Sequence, residues 1–280
     1  MTRRSFLATC AAVSASSGYA RTLKTVGVQL YTVRTVLPQK PLETLRAIEQ
    51  IGYREAEVTA AGIDKIWDAL KQTSLKPVSL HMDTGLFTRE QEKLPAALED
   101  AKRRGFEFVV CPYIAPADRG GVEVIKKLGE TLNKAGELCN KGGLRLAYHN
   151  HAFEFQPEGD GTLLDVLMHT TDPKLVNLEM DVMWVTVGCG DPVSLLHKYG
   201  KRVVMVHLKD VAPGTDKRYN ESVPRTAFRE VGNGTINFAA VLKAAHETGV
   251  EHYFVEQDQT PGDPVDSLRQ SFQYLSKLDY

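Results

Sequence analysis

Residues 143–155 read GLRLAYHNHAFEF, and this stretch decides how the fold of the whole chain is understood. Over residues 144–149 the side chains of a strand would alternate, which puts Ala147, His149 and His151 on one face and a mostly apolar set on the other. A strand that ends with two histidines on one face is typical of the floor of a functional site. A buried strand whose histidines are only hydrogen-bonded would have the same pattern, so this segment alone leaves both interpretations open.

The same strand character recurs along the chain, with helical apolar spacing between the strands. The predicted strands are Thr25–Tyr31, Tyr53–Val58, Pro77–His81, Phe106–Cys111, residues 144–149, Leu175–Asp181, Val203–His207 and His252–Glu256. The predicted helices are Leu42–Ile51, Ile63–Leu70, Gln91–Arg104, Val122–Cys139, Leu163–His169, Pro192–Tyr199, Phe238–Thr248 and Pro264–Leu278. Eight strand-and-helix units predict an α/β fold, a single (β/α)8 TIM barrel. A doubly wound open sheet is the alternative, but no Gly-x-Gly-x-x-Gly turn follows the first strand.

The first twenty residues have the character of an export signal peptide. Two adjacent arginines precede Ser-Phe-Leu, a short weakly apolar stretch follows, and Gly18-Tyr19-Ala20 resembles a cleavage site. The paired arginines resemble a twin-arginine signal, which predicts a periplasmic protein. The expected domains are therefore a signal peptide over residues 1–20 and a barrel over residues 21–280.

Composition excludes several classes of protein. The chain has 280 residues, of which 25% are charged, and its formal net charge is −1. A nucleic-acid partner is not expected, because such proteins usually carry a basic surplus. No apolar run approaches the length of a membrane span. Beyond the signal peptide, Cys111, Cys139 and Cys189 are an odd number of thiols, which favours buried free cysteines over a disulfide framework.

Polar residues stand at the end of nearly every predicted strand. They are Gln29 and Tyr31, Glu57, His81, His149 and His151, Asp181, His207 and Lys209, and Glu256 and Asp258. In a barrel these ends converge on one rim, which is where active sites of this fold lie. Any one of them alone is more often a buried polar residue satisfied by its neighbours, but core packing does not explain all of them together.

Part of this rim has the composition of a metal site. Asp181, His207 and Glu256 combine one imidazole with two carboxylates, and His149 is placed to be the fourth ligand. Such sets suit a single divalent cation, Mn²⁺, Co²⁺, Zn²⁺ or Mg²⁺. Glu179 lies one layer deeper on the same face and is expected to orient a ligand. A hydrogen-bonded cluster without metal is the alternative.

The segment after the seventh predicted strand contains one further candidate and an oversized loop. Lys209 would point towards the rim and hold a substrate oxygen, unless it is a surface lysine at the start of the loop. Residues 211–233 form a loop of a length that is usually functional or disordered. The glycine-rich residues 231–235 predict a turn into the next helix rather than a phosphate-binding loop.

Residues 24–280 resemble the xylose-isomerase-like TIM-barrel superfamily of sugar isomerases, epimerases and type-2 AP endonucleases. The motifs that carry the resemblance are YHNH at 148–151, LEMDVMW at 178–184, VHLKD at 206–210 and VEQD at 255–258. The family's metal is typically held by Glu, Asp, His and Glu on strands five to eight. Asp181, His207 and Glu256 match the last three, while His149 stands where the family has its first glutamate.

The resemblance implies a metal-dependent sugar isomerase or epimerase. It would abstract a proton next to a carbonyl, with a metal-stabilised enediolate, on a free or glycosidic keto-sugar. Glu256 is the expected base and Lys209 a further catalytic candidate, and His151 or Glu154 would restore the second acid/base that His149 cannot provide. The substrate-binding candidates are Gln29, Tyr31, Glu57, His81 and Asp258.

Three other functions are compatible with this sequence to different degrees. A 3-keto-glycoside lyase or hydrolase would use the same metal site, and a non-enzymatic periplasmic sugar-binding protein would use only the cavity. An AP endonuclease would need more zinc ligands and a basic face, which the net charge of −1 disfavours. The expected partner is therefore a small carbohydrate, and whether the chain forms a homo-oligomer stays open.

Overall fold

The structure, a computed structural model, describes residues 21–280, so the sequence-predicted signal peptide lies outside the described residues. Eight parallel strands form a closed barrel in which each strand pairs with the next and the last pairs with the first. They are β1 (Gly27–Gln29), β2 (Glu55–Thr59), β3 (Lys76–His81), β4 (Phe108–Cys111), β5 (Arg145–His149), β6 (Val176–Asp181), β7 (Val203–Leu208) and β8 (His252–Val255). The predicted (β/α)8 barrel is confirmed.

Helices surround the barrel and fill the connections between its strands. They are α1 (Pro41–Ile51), α2 (Ile63–Leu70), α3 (Gly85–Thr88), α4 (Leu94–Arg103), α5 (Val122–Gly142), α6 (Leu163–Thr170), α7 (Val182–Val187), α8 (Pro192–Tyr199), α9 (Phe238–Thr248) and α10 (Pro264–Leu275). None of the helices in the described part of the chain is long and apolar enough to cross a membrane.

Helix α5 illustrates why the apolar spacing predicts the helices well. Ile125, Leu128, Leu132 and Cys139 recur at helical intervals and are all buried against the barrel. Burying one leucine side chain stabilises the fold by roughly 1.5–3 kcal/mol, so this face holds the helix in place. The helix continues beyond the predicted end and stops where Gly143 adopts a left-handed backbone conformation with a φ of 75°.

Some predicted boundaries were wrong because side chains interrupt the backbone pattern. Strand β1 is shorter than Thr25–Tyr31, since the Gln29 side chain accepts a hydrogen bond from the Tyr31 amide and starts a 3₁₀ turn. Helix α7 was not predicted at all. It begins directly after Asp181, whose Oδ1 accepts a hydrogen bond of 3.0 Å from the Trp184 amide and caps the first turn.

The strands carry a polar layer above an apolar one. The lower interior is filled by Val78, Phe108, Val110, Ala147, Val204, Met205 and Phe254. Above it, the strand register pairs His149 with Glu179 and Asp181 with His207. The polar strand-end residues therefore meet at the carboxyl ends of the strands, as the sequence predicts.

The cysteine prediction is correct for two of the three described thiols. Cys111 and Cys139 are free and buried, but Cys189 is exposed. Cys189 lies just after the end of α7, in a connection where its own backbone is left-handed with a φ of 68°. The connection at this residue therefore turns outward rather than packing on the core.

The glycine-rich residues 231–235 form a turn, as expected. Asp210 accepts hydrogen bonds from the amides of Gly232 and Gly234 at 3.0 and 2.9 Å, and from that of Ile236 at 3.2 Å. These amides are thus occupied by a carboxylate of the protein itself. Asp210–Val211 also pairs with Phe228–Arg229, which closes the long loop at its base.

Candidate active site

A cavity of about 750 Å³ opens at the carboxyl ends of the strands. Its floor includes His81, His149, Lys209 and Glu256, and its walls include the aromatic side chains of Tyr31, Tyr113 and Trp184. A cavity of this size at this end of a (β/α)8 barrel is the expected place for an active site.

Four buried side chains at the floor, which we call the upper cluster, have the spacing of metal ligands. His149, Asp181, His207 and Glu256 each offer one donor atom, and these atoms lie within 4.8 Å of one another. The distance from His207 Nδ1 to Glu256 Oε2 is 3.0 Å, and that from His149 Nε2 to Asp181 Oδ2 is 3.5 Å. The structure thus brings together the four residues that the sequence singles out as ligands.

His149 is oriented so that one ring nitrogen is free for a cation. Its Nδ1 lies 3.1 Å from the carbonyl oxygen of Pro112 and donates to it, which leaves the lone pair on Nε2. Nε2 is buried and has no hydrogen-bond partner. A buried nitrogen without a partner, facing carboxylates, fits a metal ligand better than a residue of a satisfied polar core. The upper cluster therefore fits a divalent cation.

A second set, which we call the lower cluster, consists of Glu57, His81, Glu179 and His207 and also has metal-like spacing. Here the imidazoles are already partnered. His81 Nε2 lies 3.0 Å from Glu57 Oε2 and 2.8 Å from Glu179 Oε2, and His207 Nε2 lies 2.5 Å from Glu57 Oε2. Because His207 Nε2 donates to Glu57, its Nδ1 is directed to the upper cluster. We therefore interpret the lower cluster as the network that orients His207.

Part of the negative charge in the lower cluster is balanced by a protonated histidine. Burial alone would lower the pKa of His81, but the carboxylates of Glu57 and Glu179 outweigh it and raise the pKa to about 9. Gln29 Nε2 donates a further hydrogen bond of 2.8 Å to Glu57 Oε2. Glu179 lies in the layer below the ligands, where the sequence places it.

Lys209 is buried and its ammonium group is ion-paired. Its side chain is 1% exposed, and its Nζ lies 2.9 Å from Asp181 Oδ2, 2.6 Å from Glu256 Oε2 and 2.8 Å from Asp258 Oδ2. Burial opposes its charge, but Asp181, Asp258 and Glu256 together hold the pKa well above its usual value. Lys209 therefore remains a cation that binds three carboxylates at the edge of the cavity.

His151 lines the cavity next to His149, with 4.9 Å between the two ring centroids. Its ring lies 5.7 Å from that of Trp184 and 4.9 Å from that of Tyr113, measured between ring centroids. Burial, with a smaller effect of His149, holds its pKa well below the usual value. Its Nδ1 has no hydrogen-bond partner. His151 is therefore a neutral imidazole.

Glu154, the other sequence candidate for a second acid/base, is not among the residues that line the cavity. Its Oε1 accepts a hydrogen bond of 2.6 Å from the Tyr148 hydroxyl, and its Oε2 accepts one of 3.0 Å from the His151 amide. Burial raises its pKa to about 7. In this position Glu154 supports the loop that carries His151.

The five substrate-binding candidates lie at two depths along the barrel axis, at the cavity and below it. Tyr31, His81 and Asp258 line the cavity. Gln29 and Glu57 are fully buried, and the cavity lining does not include them. The sequence identifies the correct face of each strand, but it does not give the depth of each residue along the barrel.

Several cavity residues come from loops or from the unpredicted helix α7 and were not proposed from the sequence. Trp184 lies within a quoted motif but had no predicted role, and Asp83, Tyr113 and Glu221 had none either. Glu221 belongs to the long loop after β7, and its carboxylate forms an ion pair of 2.8 Å with Arg119 from the loop after β4. The length of residues 211–233 was the one signal that this loop contributes to the site.

Comparison with known proteins places the chain in a family. Residues 44–278 match the family model described as the xylose isomerase-like TIM barrel. The chain belongs to this family. Over 163 residues it is 30% identical to an inosose dehydratase of Geobacillus kaustophilus (strain HTA426), a match that covers 55% of this chain and 52% of the relative. The chain spans about half the length of the curated relatives it matches.

Solved structures of the family superpose over nearly the whole chain. A sugar phosphate isomerase/epimerase from Parabacteroides distasonis ATCC 8503 is 26% identical with a TM-score of 0.73, and the match covers 97% of this chain and 98% of that one. A 3-keto-D-glucoside 4-epimerase from E. coli is 17% identical with a TM-score of 0.63, covering 90% and 98%. The second match supports the fold alone. The names of these proteins are those of sugar-modifying enzymes.

Proposed function

We propose that this protein is a metal-dependent enzyme that abstracts a proton next to the carbonyl of a keto-sugar and thereby isomerises or epimerises it. The observation that carries the proposal is the position of Glu256. Its carboxylate belongs to the upper cluster and also lines the cavity, so one group lies beside both a cation and a substrate. Proton abstraction next to a carbonyl needs a base and a positive charge together.

The upper cluster would hold the cation through His149, Asp181, His207 and Glu256. Its mixed nitrogen and oxygen donors suit Mn²⁺, Co²⁺, Zn²⁺ or Mg²⁺. Bound there, a divalent cation would polarise the substrate carbonyl and reduce the cost of the negative charge that develops on its oxygen.

The protein groups around Glu256 keep it ionised, so that it is unprotonated when the substrate binds. Burial alone would raise its pKa, but Lys209 and His207 outweigh it and hold the pKa well below the usual value. Glu256 is therefore a carboxylate at neutral pH. Lys209 Nζ lies 2.6 Å from its Oε2 and fixes its position, and the same ammonium group forms an ion pair of 2.8 Å with Asp258 Oδ2.

Epimerisation also needs a group that handles a proton on the other side of the substrate. His151 is the residue we propose for this role, because it lines the cavity and its buried Nδ1 has no partner. It is carried by the loop after β5, whereas Glu256 follows β8. The two residues therefore reach the cavity from the ends of two different strands.

A second candidate function is elimination from the same intermediate, as in a 3-keto-glycoside lyase or a dehydratase. Strand β5 presents the imidazoles of His149 and His151 to the site where the family typically has a glutamate, which leaves fewer carboxylates for a two-base reaction. The similarity to inosose dehydratases over about half of their length agrees with this candidate.

Incubation with a nitrophenyl 3-keto-glucoside in D₂O would test both candidates at once. We expect the manganese-loaded enzyme to introduce deuterium at the carbon next to the carbonyl, as followed by NMR. A new sugar diastereomer would support epimerisation, and free nitrophenol would support elimination. The Glu256→Gln variant should abolish exchange, while Glu137→Gln on the exposed face of α5 should not. No exchange by the wild-type enzyme with any keto-sugar tested would contradict the proposal.

We further propose that the protein acts in the periplasm, on the basis of the twin-arginine pattern in residues 1–20.

A further inference from the structure

Glu221 and Arg119 form a partly buried ion pair behind the cavity wall. Their side chains are 19% and 13% exposed, and Glu221 Oε2 lies 2.8 Å from Arg119 Nη1. Glu221 itself lines the cavity, whereas Arg119 does not. The guanidinium of Arg119 also lies 4.0 Å from the centre of the Phe153 ring, and its Nε donates a 2.8 Å hydrogen bond to the carbonyl of Ile114. Glu221 therefore covers a guanidinium group that is held firmly in place.

The ion pair is not fully satisfied. Arg119 Nη2 and Glu221 Oε1 are both buried without a hydrogen-bond partner. A guanidinium with a free donor is the preferred protein group for a phosphate, because its planar fork binds two phosphate oxygens at once. Two cavity-lining side chains pack against this guanidinium: the carboxylate of Glu221, and Tyr113, whose ring centre lies 5.2 Å from it. Glu221 is the one of the two that carries a charge.

Apart from His81 and the proposed cation, both at the floor, the cavity wall offers little to an anion. Asp83, Glu221, Glu256 and Asp258 contribute carboxylates to it. Among the lining residues that the structure describes, Lys209 is the one lysine or arginine, and three carboxylates already bind its Nζ. Arg34 lies behind Tyr31, and its terminal nitrogens donate to the carbonyl oxygens of Tyr31 and Asp258.

We propose that Glu221 is a specificity-determining residue that keeps phosphorylated substrates out of this cavity and reserves it for uncharged sugars. It does so by neutralising Arg119 and by adding a carboxylate to an already acidic wall. A phosphate held against this part of the wall, away from the cation site of the upper cluster, would lose its hydration and meet carboxylates without a free lysine or arginine to compensate. The assignment of uncharged sugars as the substrate class rests on the proposed function, whereas the exclusion of phosphate is a property of the wall itself.

Titration of the metal-loaded protein with inorganic phosphate tests this exclusion without any knowledge of the sugar. The Glu221→Gln substitution keeps the shape of the side chain but removes the negative charge that neutralises Arg119. We expect this variant to bind phosphate at least about tenfold more tightly than the wild type, as measured by calorimetry, because a charge-assisted pair is gained. The matched control Glu137→Gln, which changes the net charge equally at an exposed position on α5, should bind phosphate as the wild type does.

Two further variants make the result decisive. Glu221→Ala should show the same gain, so the test does not depend on how the glutamine side chain is placed. Adding Arg119→Gln to Glu221→Gln should remove the gain, with the melting temperature measured to verify folding. Equal phosphate affinity of Glu221→Gln and Glu137→Gln would overturn the proposal, and so would a gain that persists without Arg119. Failure of keto-sugar turnover would not change this outcome, so the two proposals fail separately.

Discussion

Glu154 is expected to make the folded protein less stable as the pH rises from about 4.5 to about 7. Its side chain is 1% exposed, and burial raises its pKa from 4.5 to about 7 although Tyr148 and the His151 amide donate hydrogen bonds to it. The folded state thus binds this proton more tightly than the unfolded chain does. Its contribution to stability is complete below the unfolded pKa and is lost as the pH rises through the folded pKa.

The size of the effect follows from the difference between the two pKa values. Each pKa unit corresponds to about 1.4 kcal/mol, so the change amounts to about 3 kcal/mol of unfolding free energy. Glu154→Gln replaces the carboxyl group by an amide of the same shape that does not titrate. Relative to the wild type, the variant should therefore gain up to about 3 kcal/mol between acidic and mildly alkaline pH. Urea unfolding followed by circular dichroism at a series of pH values measures this difference.

The same variant separates a structural role from a catalytic one. If Glu154 supports the loop of His151, Glu154→Gln should keep its metal content and most of its turnover. A stability difference that stays constant with pH would refute the reasoning from burial. Lost turnover with unchanged metal content would instead assign Glu154 to the chemistry, as the sequence pattern suggested.

Three further predictions concern the metal, the packing and export. His149→Ala should contain far less bound metal than the exposed control His197→Ala by elemental analysis, because one of four ligands is removed; equal content would exclude His149 as a ligand. Gly136→Ala should lower the unfolding free energy by about 1–3 kcal/mol, because the added Cβ would lie 2.5 Å from the backbone oxygen of Leu175. The control Gly142→Ala, whose Cβ would meet open space, should leave the unfolding free energy unchanged or raise it. Replacing both arginines of residues 3–4 by lysine should block export of a fused reporter through the twin-arginine route, and unchanged export would contradict the predicted signal.

The strands, most helices and the grouping of the four candidate ligands were predictable because each depends on a local pattern. Apolar periodicity places the elements, and the carboxyl ends of parallel strands must meet at one rim. His149, Asp181, His207 and Glu256 each stand at or just after a strand end, so their proximity follows once the barrel is recognised.

What the sequence could not provide is the level and direction of individual side chains. Glu57 and His81 both end predicted strands, yet Glu57 lies below the cavity because the register sets it beside Gln29 and Ser79. Glu154 is removed from the cavity lining by the 3₁₀ turn Phe153–Phe155, which has no apolar periodicity of its own.

Loop residues were the least predictable part of the site. Glu221 reaches the cavity from a long loop, and its partner Arg119 comes from a loop after a distant strand. Such a pairing depends on tertiary contacts between two segments without secondary structure, which no local pattern in the sequence encodes.

The central claim is that one divalent cation binds at the upper cluster beside Glu256. Anomalous diffraction from crystals soaked with Mn²⁺ tests it most directly, because the signal locates the ion independently of the protein atoms. We predict a single strong peak at the distance of a direct ligand bond, about 2.0–2.3 Å, from His149 Nε2, His207 Nδ1 and the carboxylates of Asp181 and Glu256. A peak between Glu57, His81 and Glu179 instead, or no peak near His149, would contradict the account.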